Sequence, residues 1–261
     1  MSARLLQAIA VEKPWGRDPL PPRFGAASGR IGEIWFEPPP ESPQLLVKYL
    51  FTSERLSVQV HPTDRQAAAA GLGLGGKEEC WLVVEAEAPA VLGIGFRKEY
   101  GREAIRAAAL DGSIVDMLEW HEVGPGDFIY VPAGTVHAIG AGLTLVEVQQ
   151  ASDVTYRLFD YGRPRELHLD AAIEVLHPAP HDARLRRKAA PGRLVDGPYF
   201  TLDLAQGPGS AAGGAQIIPL GGEVSAEGVT AGAGQCLFLS APAALAAAST
   251  TRYLVGRPFD S

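Results

Sequence analysis

The chain has 261 residues, enough to bury a full core as one large or two small domains, and 46 % of them are hydrophobic and 20 % charged, the composition of an ordinary globular protein. Its formal net charge of −7 works against phosphate backbones and anionic lipid surfaces, so neither nucleic acid nor a membrane is an expected partner. An anionic ligand must instead be met by a local cluster of Lys and Arg.

Two cysteines, Cys80 and Cys236, make no disulfide framework and read as reduced thiols. The N-terminal apolar stretch is short and breaks at Glu12 and Lys13, so no signal peptide is read there. No run reaches the roughly 20 apolar residues of a membrane-spanning helix. A cytoplasmic protein is expected.

Thirty glycines and twenty-one prolines are spread between short apolar runs, which points to many turns and an all-β fold. Residues 1–44 read as Pro-rich and irregular, with one strand at 32–36. Strands follow at 45–51 and 56–61, then a helical turn or two and a Gly-rich loop over 64–77, then strands at 79–85 and 90–96. Residues 99–112 read as a helix whose inner face carries Ile105, Ala108 and Ala109, ending at Asp111-Gly112. More helix is read at 114–118, strands at 127–131, 143–149 and 154–161, and an amphipathic helix at 165–177. The basic, Pro-containing stretch 181–193 reads as a linker. Residues 194–261 read as a second, smaller β-domain; they contain no histidine, which rules out a second histidine-based metal site there.

Three segments carry chemistry. Residues 126–137 read GDFIYVPAGTVH: a strand, a tight turn set by Pro132 and Gly134, and a return strand presenting His137. In LSVQVHP, the strand period of two puts Leu56, Val58 and Val60 on one side and Ser57, Gln59 and His61 on the other. A strand face made only of polar, ligand-capable groups is expected where a barrel lines a polar cavity. In KEECW, Glu79 shares a face with Trp81, whereas Cys80 takes the opposite one. Gln59, His61, Glu79 and His137 together offer two imidazoles, a carboxylate and an amide oxygen, a common divalent-metal set with a place left for water or substrate. Zinc is favoured, although iron or manganese would fit the same donors. His121, His168, His177 and His181 lack metal-ligand spacing and are read as structural.

SVQVHP, GKEECW, GDFIYVPAGTVHAIG and ASDVTYRLFDYGRPREL, taken in order, resemble the successive signatures of the type I mannose-6-phosphate isomerases in their short bacterial form. The resemblance runs from Lys13-Pro14-Trp15-Gly16 to Leu176. It implies a cupin-type jelly-roll barrel over residues 1–180 with a few short helices, followed by the linker and the small β-domain. It implies one Zn2+ per chain on Gln59, His61, Glu79 and His137, with Arg157 and Lys77 in the active site. Lys48, in LLVKYLF, matches a family lysine and is a candidate phosphate contact; Ser57 is a further candidate substrate contact. The implied reaction interconverts mannose 6-phosphate and fructose 6-phosphate through a cis-enediol, with Glu147 and Lys77 both open as the base. The only partner expected besides a phosphosugar is a second copy, as monomer or homodimer. Two alternatives stay open: a metal-bearing sugar-phosphate sensor without turnover, or an isomerase of another phosphosugar. A metal oxygenase on the same barrel is disfavoured, since Gln59 stands where a first histidine is usual.

Overall fold

The structure is a computed structural model that describes residues 2–25, 28–73 and 75–259. In chain order it begins with β1 (Ala3–Leu5), β2 (Ala8–Arg17), β3 (Ile31–Phe36), β4 (Leu45–Phe51) and β5 (Val58–Val60). Helix α1 (Asp64–Ala69) precedes β6 (Glu79–Ala86) and β7 (Val91–Phe96). Helices α2 (Arg102–Asp111) and α3 (Ile114–Met117) lead into β8 (Leu118–Glu122), β9 (Asp127–Val131), β10 (His137–Ile139), β11 (Leu143–Gln150) and β12 (Tyr156–Phe159). After α4 (Leu169–Val175) come β13 (Arg186–Lys188), β14 (Gly192–Asp196), β15 (Phe200–Gln206), β16 (Gly209–Ala211) and β17 (Ala215–Pro219). The chain closes with β18 (Glu223–Ala226), β19 (Val229–Gly232), β20 (Leu237–Leu239), β21 (Ala243–Ala247) and β22 (Arg252–Pro258). The fold is mainly β, as the turn-rich sequence implies, and no helix among the described residues is long and apolar enough to cross a membrane.

Two compact units emerge from the contacts. One comprises Phe51–Leu145 and Ser152–Arg187; the other gathers the chain up to Leu50, Val146–Ala151 and everything from Lys188 onward.

In the first unit a sheet of order β12-β5-β10-β7-β8 has two unlike faces. Val58, Val60, Val136, Ala138 and Leu158 point to one side and are buried with Ile105, Ala108 and Ala109 of α2, Ile114 of α3 and Ala172 and Val175 of α4. Each such Val, Leu or Ile contributes about 1.5–3 kcal/mol by leaving water. Strand alternation then sends Gln59, His137 and Arg157 to the other side. Helix α2 presents the face expected of it and ends on Gly112 in the left-handed conformation. Helix α1 starts in a capping box, in which Gln66 N–H donates to Thr63 Oγ1 and Thr63 N–H donates to Gln66 Oε1.

Two expectations need correction here. The 165–177 helix is only Leu169–Val175, because Pro164 and an ion-paired Arg165 hold the preceding residues in a loop. Residues 154–161 form strand only over Tyr156–Phe159, and the carbonyl of Val154 is turned to His61.

In the second unit β1 pairs with β20 (Ala3 opposite Leu239) in a sheet of order β1-β20-β17-β22-β15-β14. One buried cluster of this unit gathers Ala215, Ile217, Val224, Ala226, Ala231, Leu237, Leu239, Leu245 and Tyr253. Residues 1–44 are more regular than expected. Strand β2 is ten residues long and pairs antiparallel with β3 from Ala8 opposite Phe36, with a register shift after Val11. Pro14 is tolerated because β2 is an edge strand. The stretch 181–193 carries a 3-10 turn at Ala183–Leu185, β13 and the start of β14.

Candidate metal centre

Three strands bring the first donors together by register alone. Gln59 of β5 lies opposite His137 of β10 on one side and opposite Arg157 of β12 on the other. The three side chains therefore stand in a row across one sheet face, with neighbouring strands about 4.8 Å apart. His61 follows β5 on the same face. Glu79 opens β6, which pairs with β9 (Glu79 opposite Val131).

His61, Glu79 and His137 are all buried, and one donor atom from each lies within 4.8 Å of the others. His61 Nε2 is 3.6 Å from Glu79 Oε2, and His137 Nε2 is 3.4 Å from Glu79 Oε1. Both imidazoles are set up to ligate. His61 Nδ1 lies 2.8 Å from the Val154 carbonyl and His137 Nδ1 lies 2.9 Å from the Thr135 carbonyl. A carbonyl only accepts, so each Nδ1 carries the proton and each Nε2 presents a lone pair to the centre. Burial depresses both pKa values, with Lys77 adding to the effect at His61, and that of His137 falls to about 3. Both rings are thus neutral at pH 7.

Glu79 is charged. Burial on its own would raise its pKa, but the ammonium of Lys77 and the flanking imidazoles override it and hold the carboxyl well below its usual range. Lys77 Nζ stands 2.6 Å from Glu79 Oε2 and 3.3 Å from His61 Nε2. Glu79 Oε2 is met by the Lys77 ammonium, whereas Oε1 has no hydrogen-bond donor among the described residues, which is costly for a buried carboxylate oxygen unless a cation completes it. Two neutral imidazole lone pairs and an under-satisfied carboxylate fit a divalent metal.

Gln59 borders this set. Its Nε2 is 3.1 Å from His137 Nε2, and its Oε1 accepts from Ser57 Oγ at 3.0 Å. Turning the amide by 180° exchanges the two ends and brings the oxygen to the centre while the nitrogen donates to Ser57. Trp81, fully buried, packs edge-on against the His137 ring at 5.2 Å and fixes its plane.

The turn before His137 explains its glycine. Gly134 has φ 87°, its N–H donates to the His61 carbonyl at 2.8 Å, and its own carbonyl accepts from His177 N–H at 2.8 Å. A Cβ there would meet His177 Cδ2 at 2.4 Å. The turn is thereby tied to the chain on both sides, which aims the Thr135 carbonyl at His137.

Of the residues singled out from sequence, Ser57, Gln59, His61, Lys77, Glu79, His137 and Arg157 all fall in the first unit. Lys48 and Glu147 fall in the second, where they pair with each other at 2.9 Å. Lys48 also lies over the Trp35 ring and 4.0 Å from Glu33, itself bonded by the Trp35 indole N–H. His168 accepts from the Arg157 backbone N–H, and His181 Nε2 donates to the Tyr130 carbonyl. Sequence reasoning passed over the Val154 and Thr135 carbonyls, which no side-chain pattern announces, and the Asp160–Arg165 loop, for which the run DYGRPRE was a signal.

No protein-family model matches the chain. Over 245 residues it is 30 % identical to the Bacillus subtilis protein named "Putative mannose-6-phosphate isomerase YvyI", covering 76 % of this chain and 77 % of that one. The chain belongs to the mannose-6-phosphate isomerase family. Higher identity over shorter stretches links it to mannose-6-phosphate isomerase ManA of Bacillus subtilis (44 % over 144 residues, 51 % of this chain and 44 % of that protein). The mannose-6-phosphate isomerase of Streptococcus mutans is 39 % identical over 169 residues, 60 % of this chain and 53 % of that protein. The chain thus spans about half the length of these curated relatives. The solved mannose 6-phosphate isomerase of Bacillus subtilis superposes with a TM-score of 0.81 at 24 % identity, covering 98 % of this chain and 100 % of that one. A phosphomannose isomerase variant from Salmonella typhimurium gives 0.72 at 15 % identity, covering 98 % and 100 %. At such identities the likeness establishes the fold: the jelly-roll architecture of these isomerases.

Proposed function

We propose that this chain interconverts mannose 6-phosphate and fructose 6-phosphate at a zinc site held by His61, Glu79, His137 and the amide oxygen of Gln59. The observation that carries the reading is the buried convergence of two Nε2 lone pairs on an under-satisfied carboxylate, in a chain of this family. A cytoplasmic location belongs to the same reading.

The reaction removes the proton on C2 of the open-chain aldose, passes through a cis-enediol, and returns a proton to C1 as the C2 oxygen becomes the carbonyl. A bound zinc would supply Lewis acidity at the oxygen where negative charge develops. Lys77, buried among the ligands, is the proton carrier within reach of a sugar placed there. Arg157, on the Gln59 face, offers the enediolate a permanently charged planar donor. Ser57 orients Gln59 and the sugar's hydroxyls. Lys48 as a phosphate contact and Glu147 as a second candidate base rest on family resemblance.

The test is a coupled assay with purified protein, before and after chelation, followed by zinc. Loss of turnover on chelation and its return with zinc is the expected result. A folded, zinc-loaded sample inert toward mannose 6-phosphate refutes the substrate, and a panel of other phosphosugars then separates an isomerase of different specificity from a sensor.

A further inference from the structure

The loop that leaves the Arg157 strand is organised by one carboxylate. Asp160 is 2 % exposed, and its Oδ1 accepts from Arg163 Nε and Nη2 at 3.1 and 2.7 Å and from Arg165 Nη2 at 2.7 Å. Its Oδ2 accepts from Arg165 Nε at 2.6 Å. The chain folds back on itself here: Arg163 N–H donates to the Asp160 carbonyl, Arg165 N–H to the Arg163 carbonyl, and His168 N–H to the Arg157 carbonyl. This return brings the segment after Arg165 back to the Arg157 backbone at His168.

The three guanidiniums are differently committed. Arg163 is spent: besides Asp160, its Nη2 donates to the Arg55 carbonyl at 2.8 Å and its Nη1 faces Glu54 at 3.8 Å. Arg165 gives its Nε–Nη2 edge to Asp160, and its other edge is uncommitted among the described residues. The Arg157 guanidinium makes no hydrogen bond or ion pair to any described side chain, although its Nε is buried. Burial, followed by the like charge of Arg165, lowers the Arg157 pKa, with Asp160 and Glu166 acting in the opposite direction. Asp160 is the buried carboxylate among these three arginines; the other acids near them, Glu54 and Glu166, are exposed. Arg157 stands two strand spacings, about 10 Å, from His137.

We infer that Arg165, held by Asp160, heads a phosphate subsite next to Arg157, binding the end of the ligand remote from the metal donors. The inference rests on the phosphosugar reading above and gives that site its anion contact. Arg–phosphate pairs favour a planar guanidinium presented edge-on, and fixing one edge on Asp160 leaves the other pre-oriented. Asp160 is a positioning residue in this arrangement.

The experiment compares Arg165→Met, Arg165→Lys and Asp160→Asn with the parent in the full-length, zinc-loaded protein. Inorganic phosphate binding is measured by calorimetry, alongside KM and kcat for mannose 6-phosphate, zinc content and thermal unfolding. Arg165 is partly exposed, so its variants are expected to fold. For R165M we expect phosphate affinity to fall and KM to rise by about tenfold or more, the usual size of a charge-assisted contact, with kcat and zinc content nearly unchanged. R165K should restore part of the loss. D160N should raise KM in the same direction, with no further loss in the double variant. Unchanged phosphate affinity in R165M, or a fall in kcat at constant KM, overturns the subsite. If the parent turns over no phosphosugar, the isomerase reading fails by itself; calorimetry still decides the subsite, which falls if the parent binds no phosphate or if R165M binds it equally well.

Discussion

Replacing Glu79 by Gln keeps the side-chain volume and removes a charge where charge is costly to leave unbalanced. Lys77 Nζ and Glu79 Oε2 are 2.6 Å apart, with side chains 5 % and 1 % exposed. Removing one partner of a buried ion pair costs about 3–5 kcal/mol, because the other charge stays behind without water. At roughly 2–4 °C per kcal/mol for a chain of this size, metal-free E79Q should melt about 6–20 °C below the metal-free parent. Lys77→Met leaves the carboxylate stranded instead and should cost a similar amount. In the double variant neither charge remains, so its loss should fall short of the sum of the singles by about 3 kcal/mol. Urea unfolding of all four proteins in chelator at pH 7 measures that coupling directly. Additive losses, or an E79Q midpoint equal to the parent's, would refute the claim that these two groups balance each other in the absence of metal.

Acid should destabilise the metal-free protein through His137: its folded pKa of about 3 lies below the ordinary 6.5, so the unfolded chain takes up the proton first as pH falls. Stability present above pH 6.5 is then lost at up to about 1.4 kcal/mol per pH unit down to about pH 3; urea midpoints at pH 7, 6 and 5 should fall less steeply in H137Q, and parallel slopes would sink the assignment. Gly134→Ala and Gly126→Ala share a φ near +86°, but only the first places its Cβ against His177. Both should lose about 1–2 kcal/mol for the backbone; G134A should lose roughly 1 kcal/mol more for moving the ring and should bind zinc more weakly, whereas equal melting and equal zinc content in the two variants would show that the turn does not aim His137.

The convergence of the candidate metal donors was legible because each is written in local grammar. A Pro-x-Gly turn fixes where His137 emerges, and a three-residue alternation fixes the side on which Gln59 appears. The inner face of α2 was legible for the same reason, as Ile105, Ala108 and Ala109 recur at helical spacing. Strand β2 was not, since Pro14 and Gly16 interrupt its pattern and its partner β3 supplies the order. The pairing of β1 with β20 joins residues more than two hundred positions apart, and no periodicity encodes such a partner.

The charged groups divide along the same line. A histidine or glutamate on a strand face is constrained by the period of two, so the residues that share its face follow from the sequence alone. An arginine side chain is long and chooses among carboxylates, and the choice depends on which of them is buried. DYGRPRE contains two arginines that could have continued a helix from Arg165; the burial of Asp160 instead draws both back on themselves and delays the helix to Leu169. Four charge-assisted hydrogen bonds to one desolvated carboxylate outweigh the few tenths of a kcal/mol of helix propensity at each position. The loop is therefore set by electrostatics where the candidate metal centre is set by backbone geometry, and on the proposed function substitutions at Asp160 and Gly134 should fail in correspondingly different ways: the first in how anions bind, the second in how a metal does.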